Sequence, residues 1–301
     1  MDKRAWAGLL VLSVLWGGSF FFVGVAVKEV PPLTIAAIRV LIAAAVLLVV
    51  LRFAGLTLPR RAEVWQAFLI MGLLNNAIPF SLTFWGQTQI PSGLASILNA
   101  TTPISTVLVA HIFTADEKLT PGRLLGVLIG FAGVAVMIGP DLLSGLGRNV
   151  LAQGACLLAT LSYAFGAVYS RRFGRLGVAP MQVAGGQFIG SSAILLPLAL
   201  LAEQSWQLPL PSWQAIAAII ALAVVSTALG FVIYFRVMAV AGSNANLVTL
   251  LVPVSAILLG VLVLGETLAP RHFAGMAIIA LGLAAIDGRI LRWLMRGAQP
   301  G

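Results

Sequence analysis

Apolar runs of about 20 residues, separated by only a few polar ones, fill this chain from Ala5 to Asp287. A hydrocarbon layer about 30 Å thick takes roughly 20 apolar residues to cross as a helix. Runs of that length set end to end leave no stretch for a separate water-soluble domain. The runs are continuous and do not alternate between apolar and polar residues, which points to helices and away from a barrel. In lipid each backbone N–H and C=O needs a partner, and a helix supplies both within one segment. Composition agrees: a soluble domain carries roughly a quarter charged residues, whereas this chain has 9% charged and 60% hydrophobic residues and a mean hydropathy of +1.05.

Proline is tolerated in the first turn of a helix, where its missing N–H is not needed. Pro31-Pro32, Pro91, Pro121, Pro180, Pro211 and Pro270 stand at such starts. With the charges, they divide the chain into ten predicted spans, at 5–27, 31–52, 64–89, 91–114, 120–139, 149–170, 180–202, 212–238, 241–264 and 270–288. The expected fold class is therefore an all-α polytopic membrane protein with ten transmembrane helices. Lys3-Arg4 ahead of an apolar run also suits a signal peptide, but the many spans that follow favour a retained first helix.

Basic residues orient the spans, because loops rich in Lys and Arg stay cytoplasmic. With the N-terminus inside, the cytoplasmic segments hold 14 basic residues, from Lys3 and Arg4 to Arg292 and Arg296, and the outer loops hold 3, Lys28, Arg148 and Arg271. Both termini are thus expected in the cytoplasm of a cell with a bacterial-type inner membrane. The net charge of +9 is spread singly between apolar runs and makes no basic face for nucleic acid. Cys156, the sole cysteine, falls inside a span and has no internal disulfide partner.

Compared with itself at an offset of about 150, the chain aligns Pro103-Ile104-Ser105 with Pro253-Val254-Ser255, and Phe84-Trp85 with Tyr234-Phe235. One residue of slippage then aligns Glu117, Leu119 and Pro121 with Glu266, Leu268 and Pro270. Two repeats are expected, residues 1–140 carrying spans one to five and residues 141–301 carrying spans six to ten. Five is odd, so the second copy enters the membrane upside down, the inverted plan of many secondary transporters.

The stretches LWGGSFF at 15–21, IAAIRVLIAA at 35–44 and SGLASILNATTPISTVLVAHIFTADEKLTPGRLLGVLIGFAGVAVMIG at 92–139 resemble the EamA-type branch of the drug/metabolite transporter superfamily. A second copy, NANLVTLLVPVSAILLGVLVLGETLAPRHFAGMAIIALGLAAID at 244–287, resembles the C-terminal EamA unit. The resemblance implies a ten-helix secondary transporter, commonly a metabolite exporter, whose YddG-type members export amino acids, aromatic ones and methionine among them. Small multidrug relatives carry an acid in the first helix; this chain has none there.

Polar side chains are costly in mid-membrane and face the bundle interior, so they sort lining helices from peripheral ones. Spans five and ten offer almost only apolar residues and glycine, including Gly126 and Gly130 at the spacing of close helix packing, and are expected to be scaffold or a dimer surface. Span three places Asn76, Phe80, Thr83 and Gln87 on one face, and span four Ser92, Ser96, Asn99, Thr102 and Thr106. Their repeat mates offer Ser226, Gly230 and Tyr234 in span eight and Ser243, Asn246, Thr249 and Pro253 in span nine. Trp16 and Phe20 with Ser13, and Tyr163 with Thr160 and Ala167, form stripes in spans one and six, and Trp85 joins the candidates of span three. For single Ser and Thr residues the competing reading is a bond between helices. Pro103 and Pro253, at matching depth, are candidate hinges for alternating access or else static bends.

Arg39 is the basic residue well inside a span, and two readings stand: it meets a substrate carboxylate, or it bonds neighbouring groups to fix span two. His111, late in span four, is either a proton shuttle or a headgroup-level residue. No Asp or Glu lies deep in any span, so proton exchange through a buried carboxylate is not supported. ATP coupling lacks a Gly-rich phosphate loop, and a His-Glu-x-x-His metalloprotease motif is absent, so no cofactor, metal or enzymatic activity is expected. The partners expected are a small-molecule substrate, the bilayer and, for spans five and ten, a second copy of the chain. Aromatic, amide and hydroxyl groups without a fixed acid suit a substrate neutral overall, an amino-acid zwitterion first. A drug-like molecule, a sugar conjugate and a lipid-linked flippase substrate remain alternatives.

Overall fold

The computed structural model describes residues 3–139, 148–241, 245 and 248–287. Among the described residues all regular structure is helical and no strand occurs. We number the spans α1 (Lys3–Ala26), α2 (Pro32–Phe53), α3 (Ala62–Gln87), α4 (Ser92–Phe113), α5 (Pro121–Ile138), α6 (Arg148–Arg175), α7 (Pro180–Glu203), α8 (Trp213–Val240), α9 (Val248–Leu264) and α10 (Pro270–Asp287). The first eight are long and apolar enough to cross a membrane, and the last two are shorter apolar helices. α6 continues to Arg175, past the predicted end at 170, and the described part of α9 begins at Val248.

Three of these helices are irregular, and proline explains two of them. A proline donates no N–H to the carbonyl four residues earlier. In α3 a π-helical turn at Leu73–Ala77 precedes Pro79 and loosens the ladder where the bond to Asn75 is missing. α4 ends a first segment at Asn99 and restarts at Thr102, with Pro103 in the new first turn. The Asn99 carbonyl that Pro103 leaves free accepts the Thr102 hydroxyl at 2.6 Å. α8 is π-helical over Leu222–Leu229, where the Thr227 hydroxyl donates to the Leu222 carbonyl at 2.6 Å. Pro253, the repeat mate of Pro103, lies inside the continuous helix Val248–Leu264.

The main packing pairs are α5 with α10, α3 with α6, α1 with α8, α2 with α7, α3 with α7, α1 with α9 and α4 with α6, followed by α2 with α8 and α4 with α9. Exchanging α1 for α6, α2 for α7 and so on through α5 for α10 returns the same set of pairs. α5 and α10 pack through glycine. A Cβ on Gly126 would lie 2.6 Å from the Gly282 carbonyl, and one on Gly133 2.8 Å from the Gly275 carbonyl. Rising numbers on one helix meet falling numbers on the other, so the two run antiparallel. The small-residue stripe of α5 is thus occupied within the chain, by α10 and by Ile104 of α4.

The bundle has a near end, where α1 begins, and a far end, where α1 finishes. At the far end three carboxylates cap helix starts in the opposite half of the chain. Glu203 accepts from the Leu33 N–H at 2.9 Å and from the Thr34 N–H and hydroxyl at 2.7 Å each, at the start of α2. Glu29 accepts from the Ser212 N–H and hydroxyl at 2.6 Å each, at the start of α8. Glu266 accepts from the Ser92 N–H at 2.8 Å, the Ser92 hydroxyl at 2.9 Å and the Gly93 N–H at 3.2 Å, at the start of α4. Unsatisfied N–H groups and the helix dipole make each start a favourable seat for a negative charge. The bond from the Ser212 hydroxyl, with that from its N–H, holds the Glu29 carboxyl below the usual carboxylate range.

The near end is tied differently. Arg172 pairs with Glu63 at 2.9 Å, Arg171 pairs with Asp116 at 2.9 Å and also with Glu117, and Arg61 donates to the Leu176 carbonyl. These contacts join Arg61 of the α2–α3 loop, the first turn of α3 and the α4–α5 loop to the last turn of α6 and to Leu176 just after it. The bonds from Arg171 hold the Asp116 carboxyl below its usual range. Glu117, in Glu117-Lys118-Leu119-Thr120-Pro121, occupies the place of Glu266 in Glu266-Thr267-Leu268-Ala269-Pro270, yet its described partner is Arg171.

Candidate functional site

A cavity of about 360 Å³ lies in the middle of the bundle, walled by α1, α2, α3, α4, α6, α8 and α9. That volume is in the range of small-molecule sites. α5 and α10 contribute no described lining residue. Both halves of the chain supply the wall.

α3 gives the largest share. Asn76, Phe80, Thr83 and Gln87 recur at helical spacing and all face the cavity, with Met71, Asn75 and Phe84 beside them. Asn76 donates to the Ser191 hydroxyl at 3.2 Å and the Gln187 carbonyl at 3.4 Å, which anchors α3 to α7, while its own Oδ1 accepts nothing. Thr83 Oγ1 and both side-chain polar atoms of Gln87 are also buried without a hydrogen-bond partner among the described residues. These are expensive groups to bury unpaired, each costing about 1–3 kcal/mol.

Arg39 crosses from α2 into this wall. It is 7% exposed, and its Nε donates to Thr227 Oγ1 at 2.9 Å. Its guanidinium carbon lies 3.8 Å from the centroid of the Phe80 ring and 5.6 Å from that of Phe84. The two rings are parallel, 5.8 Å apart, and their faces attract the cation. Among the described residues Arg39 is the one charged side chain of the cavity wall, and no carboxylate pairs with it. Across the cavity, Trp16 and Tyr234 tilt against each other at 5.3 Å between centroids. The discontinuity of α4 puts Asn99, Ala100 and Thr102 on the wall, and Ser96 and Thr106 flank them.

Ten of the thirteen residues expected to line the path share this cavity: Trp16, Phe20, Asn76, Phe80, Thr83, Asn99, Thr102, Tyr163, Tyr234 and Thr249. Asn246 lies outside the described residues. Two expectations are corrected. Trp85 is 42% exposed on the outer surface of the bundle, because Thr83, Phe84 and Gln87 take the inner arc of that turn. Ser226 is 1% exposed and sits in the π-helical part of α8, near Gly18 of α1 and off the cavity wall. His111 is also off the wall: its Nδ1 accepts the Leu119 N–H at 3.1 Å, and its carbonyl accepts the Lys118 ammonium at 2.9 Å. Ser13 and Thr160 join helices, Ser13 meeting Ser255 at 3.2 Å and Thr160 meeting Ser105 at 2.8 Å.

Asn75, Ser19, Phe84 and Phe231 line the cavity without having been singled out. A π-turn takes more residues per turn than an α-turn, so inside it adjacent residues such as Asn75 and Asn76 both reach the wall. Strict 3.6-residue spacing therefore selects Asn76 and skips Asn75, and in α8 it selects Ser226 and skips Phe231. Among the described residues no group of three metal-ligating side chains occurs.

The profile of the EamA-like transporter family matches residues 4–139 and, a second time, residues 151–286. The chain belongs to the EamA-like transporter family. It is a multi-pass membrane protein of that family. The inner membrane transporter YedA of Escherichia coli K12 is 29% identical over 282 residues, covering 92% of this chain and 89% of its own. The transporter YoaV of Bacillus subtilis is 25% identical, covering 92% of this chain and 94% of its own. A protein of Streptantibioticus cattleyicolor described as a probable terminal-alkyne amino-acid exporter is 26% identical and covers 100% of this chain and 99% of its own. A solved crystal structure covers 98% of this chain and 99% of its own with a TM-score of 0.67 at 23% identity, a likeness of fold.

Proposed function

We propose that this EamA-family protein is a secondary transporter of the inner membrane that exports small, overall neutral metabolites, amino acids foremost, by alternating access. The observation that carries this reading is the cavity itself. It is central, walled by both halves, rich in aromatic and amide groups and free of fixed acid among the described residues. A zwitterion suits such a wall better than a permanent cation does. The relative described as an amino-acid exporter supports the same substrate class.

Two inverted five-helix repeats, 1–140 and 141–301, are the framework of the proposal. The double family match, the exchange symmetry of the packing pairs and the antiparallel run of the equivalent helices α5 and α10 support it. Inverted repeats supply two related packings around one site. The near end is cytoplasmic on the charge asymmetry read above. The three carboxylate caps across the halves hold the far, outer end together, and export requires that they release.

Purified protein in liposomes loaded with one unlabelled amino acid should show saturable counterflow of its labelled form, competed by related amino acids. Absence of saturable flux with every amino acid tried contradicts the reading. Trp16→Leu, which removes the ring against Tyr234, should weaken competition by up to about tenfold, whereas Trp85→Leu on the outer surface should leave flux within about twofold of wild type.

A further inference from the structure

We infer that Arg39 is the carboxylate-reading residue of the cavity and that the polar stripe of α3 reads a hydrogen-bond donor on the same molecule, so that the cavity selects substrates carrying both groups. This rests on the transport reading and deepens it.

The argument begins with what Arg39 lacks. A guanidinium has five N–H donors in a planar fork that suits a carboxylate with two parallel bonds. Here Nε is engaged by Thr227, one face is covered by Phe80, and no acid pairs with the charge among the described residues. Bonding by Nε and stacking on the ring fix the plane of the fork while leaving the cation without a counter-charge. A buried, membrane-embedded cation is costly unless something anionic or wet meets it. Arg39 lines the one central cavity described, so a molecule in that cavity meets it.

The second half of the site is the acceptor set of α3. Asn76 Oδ1, Thr83 Oγ1 and Gln87 Oε1 are each on a residue at least nine-tenths buried, at 1%, 6% and 7% exposure, and none has a partner among the described residues. Asn76 and Thr83 lie about one turn either side of Phe80, the residue on which the guanidinium stacks, roughly 4.5–6 Å along the axis at 1.5 Å per residue. A ligand whose carboxylate meets Arg39 therefore brings a neighbouring ammonium or hydroxyl to the level of these residues, where rotation of an amide or hydroxyl turns an acceptor to it. Asn76 has its amide N–H groups turned to α7, and its Oδ1, like Thr83 Oγ1 and Gln87 Oε1, is closed over by its neighbours, so a ligand reaches these acceptors only by turning the side chains toward it. With no carboxylate among the described residues of the wall, an ammonium alone has no counter-charge there, so an amine lacking the acid group is disfavoured.

The test separates this proposal from the transport reading by measuring binding and flux independently. Ligand-induced thermal stabilisation of the purified protein is titrated with a transported α-amino acid, with its carboxamide, which keeps the ammonium and loses the anion, and with the matching acid lacking the amino group. In wild type the carboxamide should bind about 30-fold more weakly than the amino acid, the size of a lost hydrogen bond to a charged group. Arg39→Gln should bring that ratio to within about threefold, and Thr83→Val should weaken the amino acid while leaving the des-amino acid within about twofold. Equal binding of amino acid and carboxamide by wild type overturns the proposal without any variant. A ratio unchanged in Arg39→Gln overturns it too. Counterflow with no such discrimination leaves transport standing and removes the role of Arg39; discriminating binding with no counterflow does the reverse.

Discussion

Gly282→Leu is expected to abolish the folded, monodisperse protein in mild detergent, and Gly282→Ala to lower its thermal midpoint. A Cβ at Gly282 would lie 2.6 Å from the Gly126 carbonyl and 2.7 Å from the Gly130 nitrogen. Those atoms are backbone of α5 and cannot swing aside, so the helices must separate. Overpacking of this kind costs about 1–3 kcal/mol for small insertions and more for larger ones. The same change at Gly122, where a Cβ meets nothing within 4 Å, should be neutral or gain up to about 1 kcal/mol, because alanine loses less entropy in a helix than glycine. Size-exclusion profiles and thermal unfolding of the variants check the contrast. A Gly282→Leu protein as stable as wild type contradicts the packing of α5 on α10.

The second large effect is expected at Glu266, whose carboxylate holds the start of α4 with three hydrogen bonds. Bonds to a charged group are worth about 1.5–3 kcal/mol each when shielded, and less where water reaches them, as at this half-buried residue. Even about 1.4 kcal/mol of net release shifts a two-state balance tenfold. In Glu266→Ala the state open at the far end should therefore gain population. A cysteine at Gln87, toward the far end of the cavity, should react about tenfold faster with an impermeant thiol reagent added on that side. Glu266→Gln, which keeps an acceptor and loses the charge, should fall between. Labelling unchanged by either substitution contradicts the role given to the carboxylate as a clasp.

The membrane spans were legible because their signal is local: apolar length, proline at the start, charge between. Much of the cavity wall was legible for the same reason, since Asn76, Phe80, Thr83 and Gln87 repeat at helical spacing on one segment. The reading slipped where the helix itself departs from that spacing. Asn75 and Ser226 lie inside the π-turns at Leu73–Ala77 and Leu222–Leu229, where the wider turn changes which side chains share a face, and Phe231 follows the second of them. Trp85 was misjudged on residue type alone: an aromatic near a helix end suits the membrane surface as well as a cavity. Nothing local in the sequence marks Glu29, Glu203 and Glu266 as helix caps, because their partners are helix starts far away in sequence. Arg39 stood out as a buried cation, but the sequence could not place Phe80 under it or Thr227 against its Nε.

The central claim is that one cavity between the two halves is reached in turn from both faces of the membrane. The most direct measurement uses Thr102→Cys, on the cavity wall at the break in α4, in a Cys156→Ala background that removes the buried native thiol. In liposomes of defined orientation, impermeant thiol reagent should modify this cysteine from either face, and a transported amino acid should protect it from both. Modification from one face only, or no protection by any transported amino acid, contradicts the account.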